Sequence, residues 1–145
     1  MQIRGWKYRD ILRISEMEKE CFPEEPWSFT MLVTCFEQES FTGIVSTEED
    51  GEITGYAGIT IAADEADIQN IAVSEPYRNS GVGTALLENL LAKAKDKGVK
   101  KVFLEVRVSN SAAMSLYLKT GFVGVYARTR YYTDGEDCLV MAKNI

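Results

Sequence analysis

The succession of a strand, a glycine-containing loop and a long amphipathic helix over residues 68–97 restricts the fold of this chain more than any other feature. The strand is predicted to extend to Val73, and Gly81 and Gly83 lie in the loop and at the start of the helix. Leucine and alanine residues at three-to-four-residue spacing give the helix one apolar face, and Gly98 ends it. This segment predicts a layered domain in which helices cover a sheet.

The other segments of the chain predict the element order β-α-α-β-β-β-α-β-α-β-β. Strands are expected at residues 3–8, 41–47, 53–62, 66–73, 101–108, 123–131 and 138–143, and helices at 10–21, 28–38, 82–97 and 111–119. Ser28 is expected to cap the second helix. Hairpins combined with two crossover helices imply the α/β (α+β) class, with a mixed sheet and helices on both faces. The length of 145 residues suits one domain over residues 1–145.

Histidine is absent from the sequence, which removes several kinds of chemistry at once. Ser-His-Asp hydrolysis, Cys-His proteolysis, histidine-ligated metals and imidazole bases are all excluded. Acid–base chemistry must therefore use other side chains, such as carboxylates or phenols. The formal net charge of −6 argues against a nucleic-acid partner, because phosphate backbones are bound by clustered cations. It favours a cationic partner instead.

The cysteines and the N-terminal residues indicate a cytoplasmic protein. Cys21, Cys35 and Cys138 are odd in number and include no Cys-x-x-Cys pair, so neither a disulfide framework nor a metal site is expected. The first residues lack the apolar region of a signal peptide. No apolar run approaches the roughly 18–20 residues of a membrane span, so no membrane partner is expected.

The loop and the helix start at residues 78–84 have the character of an anion-binding site. The glycines let a ligand approach the backbone, and the first N–H groups of the helix have no partner within it. The P-loop motif is not matched, because Gly83 is followed by Thr84 without a lysine. The Rossmann fingerprint also fails, because Leu86 stands where its third glycine would be. A loop that simply begins a helix remains the alternative.

Several motifs resemble the GNAT acetyltransferase superfamily. The segment Arg78-Asn79-Ser80-Gly81-Val82-Gly83 is similar to its Arg/Gln-x-x-Gly-x-Gly/Ala pyrophosphate loop. Residues 104–122 look like its next strand, an asparagine at a helix start, and a Leu-Tyr-x-x-x-Gly-Phe ending. Residues 21–28, 130–132 and 135–141 resemble the RimI type in particular, the ribosomal-protein alanine N-acetyltransferases. The resemblance implies a mostly antiparallel seven-stranded sheet with four helices, and an acyltransferase that uses acetyl-CoA without a metal.

The resemblance also implies roles for individual residues. Glu105 matches the general base, and Tyr117 matches the general acid that protonates the leaving thiolate. The residues expected to bind coenzyme A are Ile71, Ala72, Val73, Arg78, Asn79, Ser80, Gly81, Val82, Gly83, Thr84 and Asn110. The residues expected to flank the acceptor are Phe22, Trp27, Tyr131 and Tyr132.

Elementary chemistry supports a carboxylate base but leaves an alternative for Glu105. An ammonium has no lone pair, and an α-amino group has a pKa of roughly 7.7–8.0, so a modest base is sufficient. Strand alternation places Phe103, Glu105 and Arg107 on one face. The alternative is a solvated Glu105 opposite a buried Leu104, paired with Arg107.

Asn110 and Tyr117 have structural alternatives as well. Asn110 or Ser109 has the character of a helix N-cap, and Tyr117 could be a core aromatic residue. Asn110 and Tyr117 are seven residues apart, about two turns, and should share one helix face. A phenol at that position can donate a proton to a departing thiolate.

The expected acceptor is a protein N-terminus, that of a basic ribosomal protein beginning with alanine. Five acidic residues in the two flanking loops are expected to attract it, namely Glu24, Glu25, Asp134, Glu136 and Asp137. Two other functions remain open on the same fold: acetylation of a small amine, such as a polyamine or an aminoglycoside, and non-catalytic acyl-CoA binding.

Overall fold

The computed structural model describes all 145 residues, which form seven strands and four α-helices. The strands are β1 (Gln2–Gly5), β2 (Phe41–Thr47), β3 (Ile53–Ala62), β4 (Glu65–Val73), β5 (Lys101–Arg107), β6 (Val123–Arg128) and β7 (Cys138–Asn144). The helices are α1 (Ile11–Cys21), α2 (Phe29–Phe36), α3 (Val82–Asp96) and α4 (Ser111–Lys119). The predicted element order is confirmed, and two single-turn 3-10 helices are added at Tyr8–Asp10 and Glu75–Tyr77.

The strands form one mixed sheet in the order β1-β2-β3-β4-β5-β7-β6. Every neighbouring pair is antiparallel except β4 and β5, which confirms the expected mostly antiparallel sheet. Pairing between β4 and β5 covers only their first residues and ends at Ile68 opposite Leu104. In β4, the register against β3 also shifts, from Asn70 opposite Gly58 to Ile68 opposite Ile59. Gln69 is therefore the extra residue of a bulge at the point where the pairing with β5 stops.

Helices cover both faces of the sheet, as predicted. The face with α3 and α4 buries Leu86, Leu87 and Leu90 at 0% exposure. Each such leucine contributes about 1.5–3 kcal/mol through removal of apolar surface from water. The face with α1 and α2 has its own core, which contains Ile14 and Tyr56.

Ser28 caps α2 as predicted: its hydroxyl accepts a hydrogen bond from the Met31 amide at 3.2 Å. The predicted first strand was too long, because β1 ends at Gly5. The next residue, Trp6, turns its indole N–H to the carbonyl of Ile44, and Asp10 accepts from the Lys7 amide. None of the four α-helices has the length and the apolar composition that a membrane crossing requires.

The prediction that β6 reaches residue 131 was wrong. The strand ends at Arg128, and Arg130 adopts a left-handed conformation with φ +50°. The amides of Tyr131 and Tyr132 then both donate to the carbonyl of Glu136 instead of continuing a ladder. Both tyrosines consequently lie in the loop between β6 and β7 rather than at a strand end.

Candidate functional site

A cleft of about 760 Å³ opens where β4 and β5 stop pairing. Residues from both faces of the sheet line this cleft, because the two strands separate beyond their last paired residues. Eight predicted site residues line it: Phe22, Trp27, Ile71, Glu105, Asn110, Tyr117, Tyr131 and Tyr132. The other predicted residues, at 72–73 and 78–84, do not line this cleft and belong to the end of β4 and the start of α3.

The loop before α3 presents backbone amides that have no partner in the helix. The first intrahelical bond runs from the Ala85 amide to the carbonyl of Gly81, so the amides of Val82, Gly83 and Thr84 precede it. Gly81 has φ +87° and supplies no side-chain cap. Because unpartnered N–H groups and the helix dipole both attract negative charge, this end of α3 fits a phosphate group.

Arg78 ties this loop to the end of β4. Its Nε donates to the carbonyl of Val73 at 2.9 Å, and its Nη2 lies 3.4 Å from the Cys21 sulfur. The backbone of Val73 is expected to contact coenzyme A, but its carbonyl already accepts this hydrogen bond from Arg78. Beyond Ile68, the edge of β4 that faces away from β3 has no strand partner, so it can pair with an extended ligand.

Glu105 projects into the cleft from the face of β5 opposite Leu104, as alternation predicted. Its side chain is 41% exposed, and its partner is Arg128, with Nε 3.3 Å from Oε2. Tyr131 donates to the other oxygen at 3.4 Å. The charge of Glu105 and this hydrogen bond raise the pKa of Tyr131, which keeps that phenol protonated. The alternative in which Glu105 pairs with Arg107 is therefore wrong, because Glu105 pairs with Arg128.

Asn110 and Tyr117 lie on one side of α4, and both line the cleft. The Asn110 side chain caps the helix by accepting from the Ala113 amide at 3.1 Å. Tyr117 is only 6% exposed and packs edge-on against Phe122. Burial raises the pKa of Tyr117 well above its usual value, so its hydroxyl stays protonated at neutral pH. The structural roles considered for both residues are present, and they leave both groups at the cleft.

Arg107 joins the two loops that flank the cleft. Its Nη1 bonds Asp134 at 2.8 Å and Glu136 at 2.9 Å, and its Nη2 lies 3.8 Å from Glu25. Hydrogen bonds from Ser109 and from the Arg107 guanidinium lower the pKa of Glu136. Three of the five acidic residues expected to attract a cationic partner thus share one arginine, which offsets only one of their three charges. Glu24 stays exposed without an ion-pair partner.

Sequence reasoning missed the buried carboxylate of Glu18, which also lines the cleft. It is 0% exposed and accepts hydrogen bonds from the Tyr56 hydroxyl, the Asn70 side chain and the Trp27 amide. The available signal was its position on the otherwise apolar face of α1. No group of three or more metal-ligating side chains is present.

Known proteins share both the sequence and the fold of this chain. The sequence profile of the Acetyltransferase (GNAT) family matches residues 11–122. A Bacillus subtilis (strain 168) protein, provisionally named a ribosomal protein bS18-alanine N-acetyltransferase, is 36% identical over 140 residues, covering 96% of this chain and 92% of that protein. An N-alpha-acetyltransferase of Sulfurisphaera tokodaii is 33% identical over 154 residues, covering 97% and 91%. The crystal structure of the ribosomal-protein-S18-alanine N-acetyltransferase from Escherichia coli superposes with a TM-score of 0.89 at 34% identity, covering 99% and 93%.

Proposed function

The chain belongs to the GNAT acetyltransferase family and is an N-acetyltransferase, and we propose that its acceptor is the N-terminal amine of a small-subunit ribosomal protein that begins with alanine. GNAT enzymes use acetyl-CoA, which supplies the acetyl group as a thioester. We assign residues 1–145 to one such domain and the reaction to the cytoplasm, where ribosomal proteins are made.

The unpartnered start of α3 and the unpaired edge of β4 both fit coenzyme A. The amides of Val82, Gly83 and Thr84 would hold the pyrophosphate, with Asn79 and Ser80 completing the loop. The backbone of residues 71–73 would hold the extended arm along the strand edge. This arrangement directs the thioester toward the gap between β4 and β5, and so toward the cleft.

The observation that carries the proposal is that Glu105 and Tyr117 line one cleft. Glu105 takes a proton from the acceptor's ammonium, directly or through water, which frees the lone pair of the nitrogen. As the new C–N bond forms and the C–S bond breaks, Tyr117 donates its hydroxyl proton to the departing sulfur. The nitrogen then loses its second proton, which restores the Tyr117 hydroxyl through water, and Glu105 releases its proton to solvent. Direct transfer needs no enzyme nucleophile, and none of the three cysteines has an adjacent histidine base.

A turnover assay over a panel of acceptors tests this assignment. The panel consists of peptides that differ only in the first residue, an N-terminally blocked peptide, spermidine and kanamycin. We expect the highest kcat/KM for the peptide that begins with alanine and no turnover of the blocked peptide. Turnover of spermidine or kanamycin without turnover of any peptide would assign the chain to small amines instead.

The charge balance supports a basic acceptor. The net charge of −6 favours a cationic partner at long range, and Arg107 offsets only one of the three charges of Glu25, Asp134 and Glu136. We therefore expect kcat/KM for a lysine-rich peptide to fall steeply with added salt.

A further inference from the structure

Glu18 places a fully buried carboxyl group at the wall of the cleft. Its Oε1 accepts from the Tyr56 hydroxyl at 2.6 Å and from the Asn70 side chain, and its Oε2 accepts from the Trp27 amide at 3.1 Å. These donors belong to β3, to the bulge of β4, and to the loop between α1 and α2. One carboxylate therefore joins three parts of the chain beside the place where β4 and β5 separate.

Glu18 has no cationic partner. The ion pairs of the chain involve other carboxylates, including Glu105 with Arg128 and Glu25 with Arg107. Glu24 and Asp67, which also line the cleft, are exposed to water. Glu18 alone among the cleft carboxylates is fully buried and balanced only by neutral hydrogen-bond donors.

A buried carboxylate of this kind is costly unless an opposite charge comes close to it. The cleft that it lines must receive an amine that is largely an ammonium at neutral pH, since its pKa is roughly 7.7–8.0. Glu18 thus lacks a positive partner, and the expected acceptor would bring a positive charge into the cleft that Glu18 lines. Because Glu18 is fully buried, water screens its attraction to a nearby ammonium less than it screens two charges at the protein surface.

We propose that Glu18 is a specificity-determining positioning residue of the acceptor site: its buried charge favours a positively charged terminus, and its hydrogen bonds fix Asn70 and the Trp27 loop around that terminus. This inference rests on the proposed function. It leaves proton transfer to Glu105 and adds a second carboxylate that acts on binding. A purely structural Glu18 would instead affect all cleft ligands alike.

Two peptides that differ only at the terminal nitrogen separate these roles. One begins with alanine, and the other begins with a propionyl group, which has the same shape but carries hydrogen in place of the amine. Titration calorimetry measures the affinity of each for the enzyme saturated with coenzyme A, so no reaction occurs. We expect the wild-type protein to prefer the amine peptide and Glu18→Gln to reduce that preference about tenfold.

Tyr56→Phe is the matched control, because it removes one hydrogen bond to Glu18 and leaves the charge. It should weaken both peptides together and keep the preference for the amine. Glu18→Met, which has a similar volume and no charge, replaces Glu18→Gln if that variant does not fold, and melting curves establish which variants fold. If the wild-type protein turns over the amine peptide but the charge-free variants keep the same preference for it, the inference is overturned and the proposed function stands. Absence of wild-type binding and turnover of that peptide would overturn the proposed function and, with it, the inference.

Discussion

Glu105 and Tyr117 line the same cleft although they project from opposite sides of the sheet. Glu105 alternates with the buried Leu104 and Val106, whereas Tyr117 packs in the core on the α3 and α4 side together with those two residues. Both side chains can reach the same cleft because β5 pairs with β4 only as far as Leu104. The proton acceptor and the proton donor that we propose would therefore approach the gap from different directions.

Replacement of Tyr117 by phenylalanine tests the proton donor. Phenylalanine keeps the ring in contact with Phe122, so the melting temperature and the affinity for acetyl-CoA should stay close to wild type. We expect kcat to fall about 10²–10⁴-fold, the usual contribution of a positioned acid. Steady-state kinetics and calorimetry measure these quantities, and a wild-type kcat would remove Tyr117 from the mechanism.

Glu105→Gln tests the proton acceptor at nearly constant shape. It should lower kcat by about 10²–10⁴-fold without changing the affinity for acetyl-CoA. Glu65→Gln is the matched control, because Glu65 is exposed on the same sheet near Asp67 but does not line the cleft. Equal rates for the two variants would contradict the role of Glu105.

Gly81→Ala tests the anion site before α3. An added Cβ would meet no atom within 4 Å, but the φ of +87° costs an L-residue about 1–2 kcal/mol. Relief of that strain moves the helix start, so we expect the Kd for acetyl-CoA to rise severalfold. Gly51→Ala has the same open surroundings and a φ of +88° in a hairpin turn. It should lose similar stability and keep the wild-type Kd; a parallel loss of affinity in both variants would contradict the assignment of the loop.

The stability of Glu18→Gln relative to wild type should depend on pH. Burial is the main cause that raises the pKa of Glu18 above 4.5, and hydrogen bonds from Tyr56, Trp27 and Asn70 oppose it. A raised folded-state pKa gives stability that is present below pH 4.5 and is lost as the pH rises through the folded value. From pH 4.5 upward, the melting temperature of the variant should therefore rise relative to that of the wild-type protein. A difference that is constant with pH, or that moves the other way, would contradict a buried charge at this position.

Local sequence rules were sufficient for much of this site. Alternation placed Glu105 opposite Leu104, and the seven-residue spacing placed Asn110 and Tyr117 on one helix face. Both are properties of a single element. The end of β6 was not predictable in this way, because the left-handed Arg130 and the shared acceptor at Glu136 depend on how the loop closes.

The features that escaped prediction are contacts between distant residues. Glu18 meets Tyr56 and Asn70 across 38 and 52 positions of sequence, and Arg107 meets Glu136 across 29. The cleft itself exists because β4 and β5, which are separated by α3, pair over only part of their length. A helical or strand period carries no information about such pairings.

The position of the acetyl group on a single peptide tests the central claim most directly. The peptide begins with alanine and contains one internal lysine, and it is incubated with the wild-type protein and acetyl-CoA before tandem mass spectrometry. We predict one acetyl group on the terminal nitrogen of alanine and an unmodified lysine. Acetylation of the lysine Nζ alone, or an unmodified peptide under conditions in which spermidine is acetylated, would contradict the proposed N-terminal acetyltransferase activity.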